Sequence, residues 1–476
     1  MGGRGPRLLS ELLAPASDQV AIVRASGEAV SYADLHAAVA RAAETLVASG
    51  ASAGRLVAVA APDPAGYLVT SLGAWSAGCA VVSCDPRAGE HATSRTLDRA
   101  RPLAVVRAAD VRGHLEVEAR VGARELDRRV GLLLFTSGSS AEPKGVLLPS
   151  DGVAANVRAI TSYLPVRASS RVAVVVPLAY SYGLVGQALT TLSVGGALVL
   201  LSDVPFAAEQ IDHMSALGVN GLSSVPASLR LLARAATEKA VHPPLAWCGS
   251  AGAPLDAGTI AAVRAAFPRA EIFNQYGLTE ASPRVAWVSD RDPAFARGAA
   301  GRAVEGVSIR VVSEAGAPLP AGGEGAVEVR GPSVMLGYLD DPDATGRALT
   351  LDGWLRTNDV GSIDASGYLH VRGRADGVVK SAGERVSLDE VAAVLRRASG
   401  VRDACVLATA DEAMGAVLHA FIECDEASFV PLRAFARAEL SPAKRPRHFE
   451  RLDALPRTSN GKIALAALRA KLEGST

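Results

Sequence analysis

The chain lacks a Cys-x-x-Cys pair, and its five cysteines, Cys79, Cys84, Cys248, Cys405 and Cys424, are scattered and odd in number. That spacing excludes a disulfide framework or a zinc ribbon and fits reduced, mostly buried thiols in a cytoplasmic protein. No excess of either charge is present, since Lys plus Arg and Asp plus Glu both total 49. A balanced chain offers no electrostatic footprint for nucleic acid or for an anionic membrane surface. The first residues, MGGRGPRLLSELLAP, contain no long apolar stretch and do not read as a secretion signal. Residues 172–202 lack charge altogether, and a spanning helix takes about 20 apolar residues. Here Pro177, Tyr180, Ser181, Tyr182, Gly183, Gln187 and the Gly195-Gly196 pair interrupt the run. It reads as a core strand, a loop with a short helix and a second strand, and no membrane span is expected. Internal repeats are absent, as is low-complexity sequence beyond a general richness in alanine.

What is present is an alternation. At 476 residues the chain is long for one domain, and two or more are expected. Ser31 can cap a helix with Asp34 in the acidic place of a capping box, Leu35, Val39, Ala42 and Leu46 keep helical spacing, and Gly50 closes it. Short strands are expected at 56–60, 80–83 and 103–107, with helices at 65–77 and 88–100. The pattern recurs with strands near 172–176, 197–201, 219–222, 245–248 and 270–274. This is the signature of an α/β fold in which helices cover mostly parallel sheets. After about residue 300, strands at 307–312, 325–329 and 368–371 alternate with Gly/Pro/Asp turns, suggesting a small β-rich subdomain. From about residue 377 a helix, two strands, a helix, a strand and a last helix suggest a small α+β domain.

Residues 134–148 read LFTSGSSAEPKGVLL. Thr136, Ser137, Ser139 and Ser140 surround Gly138, and Lys144 follows between Pro143 and Gly145. A buried strand opening into a small hydroxylated loop can turn N–H and O–H groups onto one anion. The usual phosphate-loop pattern, G-x-x-x-x-G-K-[ST], is missing, so the common NTPase reading fails, and an ordinary polar turn stays open for this segment by itself. Four further segments supply groups for a nucleotide. FNQYGLTEA (273–281) offers Tyr276 for stacking, the Thr279 hydroxyl and the Glu280 carboxylate, which could hold Mg²⁺. WLRTNDVG (354–361) offers Asp359, by itself an acidic loop residue. VRGRADGVVKSAGERVSL (371–388) offers Arg374, whose fork suits phosphate, and the Asp376-Gly377 pair. LPRTSNGKI (455–463) offers Lys462, by itself a solvated charge.

Together with SYADLHAAVARAAETL and AWSAGCAVVSCDP near the start, these segments make the chain resemble the superfamily of adenylate-forming enzymes: acyl-CoA synthetases, adenylation domains of peptide synthetases, and luciferases. The resemblance covers nearly the whole chain. It implies an N-terminal core over 1–375 and a mobile C-terminal domain over 376–476, with the hinge at Asp376. It also implies that Thr136, Ser137, Gly138, Ser139, Ser140 and Lys144 hold ATP phosphates. Gly252, Ala253, Pro254, Asn274, Gln275 and Tyr276 wall the adenine, and Gly249 and Gly277 line the acid. Thr279 and Glu280 serve phosphate and Mg²⁺, Asp359 takes the ribose, Arg374 contacts the nucleotide, and Lys462 reaches both the carboxylate and the α-phosphate. The sequence departs from the pattern at Ala141 and Asn358, where the family usually has glycine; asparagine tolerates a left-handed backbone better than most residues, so that turn is expected to survive.

PLAYSYGL (177–184) falls where this family builds the acid pocket and resembles aryl-acid-activating members. Tyr180 and Ser181 are the substrate candidates. No carboxylate lies in that segment, and a buried ammonium without a partner is costly. An aromatic or short acyl acid without an α-amino group is therefore expected. The chain ends soon after Lys462, so the acceptor is expected to be external: CoA, or phosphopantetheine on a separate acyl carrier protein. Two alternatives stay open: an amine or other nitrogen acceptor, and a degenerate nucleotide-binding protein.

Overall fold

Apolar runs too short for helices and fully buried on both faces make the cores of two sheets in the computed structural model, which describes residues 4–136, 143–381, 384–411, 415–458 and 461–473. In the first sheet Val130–Thr136, Ala80–Ser83, Leu56–Val59 and Ala104–Ala109 run parallel, and Lys144–Pro149, Gly337–Tyr338 and Leu115–Ala119 flank them antiparallel. In the second sheet the parallel strands are, in order, Val20–Arg24, Ala197–Leu200, Arg171–Val174, Gly221–Ser224, Trp247–Ser250 and Glu271–Gly277. Its edges are antiparallel: Ala29–Ser31 on one side, Arg284–Ser289 and Arg302–Ala303 on the other. Strands such as Leu56–Val59 and Ala197–Leu200 are buried throughout, as parallel strands covered on both faces must be. The mixed α/β class read from the sequence is the one found.

Local signals act where they stand. Ser31 caps the helix Tyr32–Ala48: its Oγ accepts from the Asp34 amide at 3.0 Å and donates to the Asp34 carboxylate at 2.6 Å. Leu35, Val39, Ala42 and Leu46 form the buried stripe. The uncharged run from 172 to 202 is a strand, a turn of α-helix at Ser181–Gly183, a π-helix at Leu184–Leu189, a further turn of α-helix and a strand, nearly all buried. Among the described residues no helix is long and apolar enough to cross a membrane. All five cysteines are free and buried; burial pushes the Cys84 and Cys405 thiols up to about 12, which keeps them protonated and inert.

Packing divides the chain into two units, Met1–Ser308 with Val329–Leu355, and Ile309–Glu328 with Arg356–Thr476. The second unit contains a four-stranded sheet ordered Ser308–Val312, Glu324–Arg330, Leu355–Ile363, Leu369–Arg374. It also contains a three-stranded sheet of Val401–Asp411, Gly415–Cys424 and His448–Leu452. The latter packs Val406, Leu418 and Ile422 against Val391 and Leu395 of the helix Leu388–Leu395. Asp359, read by itself as a loop residue, stands within the strand Leu355–Ile363.

Candidate active site

In the second sheet, Gly221–Ser224, Trp247–Ser250 and Glu271–Gly277 end side by side, and ligands in open α/β sheets bind beyond such carboxyl ends. These ends carry Ser223, Ser224, Gly249, Ser250, Asn274, Gln275, Tyr276 and Gly277. Gly249 has no room for a side chain, because Ser223 Oγ sits where a Cβ would be and Gln275 Oε1 lies 3.1 Å from it. Gly277 is equally constrained by the Pro283 carbonyl. The Asn274 amide donates to Ala299 O at 2.9 Å, and that of Gln275 donates to the Tyr163 hydroxyl at 2.9 Å. Gly252, Ala253 and Pro254 lie exposed between the strand Trp247–Ser250 and the helix Ala257–Ala266.

Thr279 and Glu280 occupy a single 3₁₀ turn after Gly277. Glu280 is fixed at both ends: Met335 N donates to its carbonyl at 2.8 Å, and Tyr338 Oη donates to its Oε1 at 3.0 Å. Lys144 Nζ lies 5.1 Å above the same Tyr338 ring. Lys144 pairs in register with Thr136 across the hairpin. One tyrosine thus joins the hydroxyl-loop lysine to the carboxylate of the FNQYGLTEA segment. Ser137, Gly138, Ser139 and Ser140, with Ala141, lie outside the described residues.

Tyr180 and Ser181 start the interrupted helix. The Tyr180 hydroxyl donates to Asp85 Oδ2 at 2.9 Å. Burial works to raise the Asp85 carboxyl, but hydrogen bonds from Arg87 and Tyr180 hold it below the usual carboxylate range. Ser181 is buried. Tyr182 faces Arg284, whose guanidinium carbon lies 5.2 Å from the ring centre. Burial pushes the Tyr182 hydroxyl up to about 12, against the opposing charge of Arg284.

In the second unit Asp359 and Arg374 are register partners on adjacent strands, with Arg374 Nη1 3.6 Å from Asp359 Oδ1. Asp359 is 8% exposed, and its amide donates to Thr357 Oγ1 at 3.1 Å. Asn358, beside it, has φ of 63°, so the left-handed turn expected there is present. Replacing Asn358 by valine should cost about 1–2 kcal/mol of unfolding free energy, and by glycine only a few tenths. Urea unfolding of the two variants measures this, and equal stability would show that the backbone imposes nothing there.

Lys462 is exposed, on a loop held from both sides. Its carbonyl accepts from Thr458 N at 2.7 Å. Upstream, Arg457 pairs with Asp403 at 2.6 Å, and Arg396 takes the other oxygen of that carboxylate at 2.7 Å. Downstream, Leu468 and Ile463 pack with Leu455 and Phe421. Asp376 lies in the 3₁₀ turn Ala375–Gly377.

Sequence reading did not single out Asp85, Asn156, Gln187, Tyr338 or Arg284. A signal existed only for Arg284, which follows Glu280 by four residues and opens the strand Arg284–Ser289. A separate cleft of about 220 Å³ is lined by Arg24, Asp63, Leu200 and Asp203. Arg24 and Asp63 pair there at 2.9 Å, so their charges are already matched.

Known proteins resemble this chain along nearly its whole length. A family model described as AMP-binding enzyme matches residues 12–339, and one described as AMP-binding enzyme C-terminal domain matches 390–462. A feruloyl-CoA synthase of an Amycolatopsis species is 30% identical over 483 residues, spanning 95% of this chain and 96% of that protein. ATP-bound MatB from Rhodopseudomonas palustris superposes with a TM-score of 0.85 at 25% identity, covering 98% of both chains. The amide bond synthetase McbA from Marinactinospora thermotolerans gives 0.84 at 26%, covering 98% of this chain and 99% of that one.

Proposed function

The chain belongs to the AMP-binding enzyme family, and on that premise we propose that it activates a carboxylic acid with ATP and transfers the acyl group to the thiol of CoA. The observation that carries this reading is the match of both family models, at 12–339 and 390–462, on a chain that is similar to a feruloyl-CoA synthase over 96% of that protein. In the first half-reaction a carboxylate oxygen attacks the α-phosphorus of ATP and pyrophosphate leaves with the electrons of the broken bond. In the second, the thiol attacks the acyl carbon, loses its proton, and AMP departs.

The residues divide this work. Two anions must meet in the first step, and Lys462 lies between them in this reading, offsetting charge where it accumulates. Thr136, Lys144 and Thr279 direct donors at the phosphates. Tyr276 stacks on the adenine, Asp359 accepts the ribose hydroxyls, and Arg374 contacts the nucleotide. Gly249 and Gly277, which this reading places along the acid, have their side-chain space taken by Ser223 and the Pro283 carbonyl. Mg²⁺ is ordinarily held by one or two carboxylates and completed by phosphate oxygens and water. Glu280, a single carboxylate braced by Tyr338, fits that role, and no cluster of three metal-binding side chains exists among the described residues. When bound, Mg²⁺ screens the charge of the departing pyrophosphate. Residues 376–476 swing about Asp376 between the two half-reactions. A separate acyl carrier protein bearing phosphopantetheine is the second thiol considered.

The likeness to an amide bond synthetase favours one further reading, in which an amine takes the acyl group. A panel of carboxylic acids tested for pyrophosphate release, with CoA, with an amine or with neither, separates the two. Acid-dependent pyrophosphate release with CoA-dependent AMP formation is expected. AMP formation that requires the amine and ignores CoA would replace the thiol reading, and ATP left untouched by every acid would end both.

A further inference from the structure

The side chain of Arg284 is 1% exposed, and neither its Nε nor its Nη2 has a hydrogen-bond partner. No carboxylate among the described residues forms an ion pair with it. The neighbouring groups are neutral. Tyr182 lies beneath the guanidinium at 5.2 Å, and Arg284 Nη2 lies 3.5 Å from where a Cβ on Gly186 of the π-helix would stand. A tyrosine face recovers part of the hydration energy an arginine loses but supplies no counter-charge. Burying one member of an ion pair without the other is among the costlier arrangements in a protein.

The backbone shows that this side chain is held in place and not left over from loose packing. Asn156 clamps residue 284 at both polar atoms: its Oδ1 accepts from Arg284 N at 3.0 Å and its Nδ2 donates to Arg284 O at 2.8 Å. Arg284 also sits in register opposite Gly277, at the end of the strand that carries Tyr276. Gln187 Oε1, Ser223 Oγ, Ser224 Oγ and Gln275 Oε1 are buried and likewise without partners. Gln187 Nε2 donates to Ser223 O at 3.0 Å, and the Tyr182 hydroxyl donates to Ser224 O at 3.3 Å. The same small region therefore combines an uncompensated positive charge with several unsatisfied hydroxyl and amide groups, beside the glycines that flank the acid.

We propose that Arg284 is a specificity residue that binds a second carboxylate, at the far end of the acid, so that the substrate is a dicarboxylic acid. This rests on the acid-activation reading above and names the class of acid. The reacting carboxylate goes to the nucleotide; the distal one pairs with Nε and Nη2 of Arg284, and Ser223 and Ser224 donate their hydroxyls to its remaining lone pairs. A substrate ending in a methyl group would leave the guanidinium buried and unpaired, which a site built for a charged partner rejects. A substrate bearing an ammonium would face a like charge.

The test uses matched acids in which a terminal carboxylate replaces a terminal methyl: succinate with butyrate, glutarate with valerate, terephthalate with 4-methylbenzoate. Acid-dependent ATP–pyrophosphate exchange and ligand-induced rise in melting temperature are read for wild type, Arg284→Met and Arg284→Lys. In wild type the diacid of at least one pair should exceed its partner in kcat/KM by roughly 10- to 100-fold, the range of a hydrogen bond to a charged group. Arg284→Met should reverse that ratio, with an unliganded melting temperature equal to or above wild type, since removing an unpaired buried charge relieves strain on the fold. Arg284→Lys should restore part of the preference. The inference is overturned if monoacids match or beat the diacids in wild type, or if Arg284→Met leaves the ratio unchanged. It is also overturned if Arg284→Met melts far below wild type, the mark of a structural arginine. Should no acid support exchange, the activation reading fails by itself. The thermal shifts then still decide this one: greater stabilisation by diacids, lost in Arg284→Met, supports it, and equal shifts overturn it.

Discussion

Replacing Lys462 by alanine is expected to lower acid-dependent pyrophosphate exchange by about 10²–10³-fold, the usual effect of removing one group that stabilises transition-state charge. The melting temperature should not move, because the side chain is exposed and surface truncations away from packed features change stability by about 0.5 kcal/mol or less. The loop itself should persist, since its anchors are Asp403 with Arg396 and Arg457, and the Leu455–Leu468 cluster, none of which involves the lysine ammonium. The second half-reaction offers an internal control. Supplied with a preformed acyl-adenylate, the variant should still yield the thioester, because charge crowding between carboxylate and α-phosphate is absent from that step. Undiminished exchange in Lys462→Ala would remove the ammonium from the reaction and leave the loop without a role.

The second large effect is expected at Glu280. Glu280→Gln preserves shape and the hydrogen bond from Tyr338, and deletes one negative charge. If Glu280 holds the metal, kcat/KM for ATP falls by about 10²–10³-fold, and part of the loss returns as Mg²⁺ is raised. Tyr338→Phe separates charge from positioning: it removes the 3.0 Å hydrogen bond but leaves the carboxylate, and should cost about tenfold at most, the size of an ordinary hydrogen bond. A Mg²⁺ titration with the same midpoint in wild type and Glu280→Gln would place the metal elsewhere.

Much of this architecture was legible beforehand, for reasons that can be given element by element. The Ser31–Asp34 cap and the stripe of Leu35, Val39, Ala42 and Leu46 are local, and local signals act without the rest of the chain. Strands such as Ala80–Ser83 are runs of apolar residues bounded by turn-forming ones, and they appear where expected. The strand Leu355–Ile363 was harder, because Arg356, Asn358 and Asp359 dilute its apolar alternation. Asp359 is buried there only because Thr357 and the neighbouring strands enclose it. The burial of Arg284 was illegible for a different reason. An arginine that opens a strand ordinarily points to solvent, and its 1% exposure is set by Asn156 and Tyr182, which lie more than a hundred residues away in sequence. Pairing between distant residues is what a single sequence does not display.

The excursion Val329–Leu355 has a bearing on how the protein is made. It adds Gly337–Tyr338 to the sheet beside Lys144–Pro149, and it brings Ser333, Met335 and Tyr338 to the turn that holds Ser282 and Glu280. Domains generally form from their N-terminal side as the ribosome elongates the chain, at about 5–20 residues per second. A nascent chain stopped before residue 338 therefore has both large sheets nearly whole but a Glu280 carboxylate without its Tyr338 brace. Translation must run well past the nucleotide-contacting segments before their carboxylate is secured, so fragments released early should emerge folded in outline and catalytically silent.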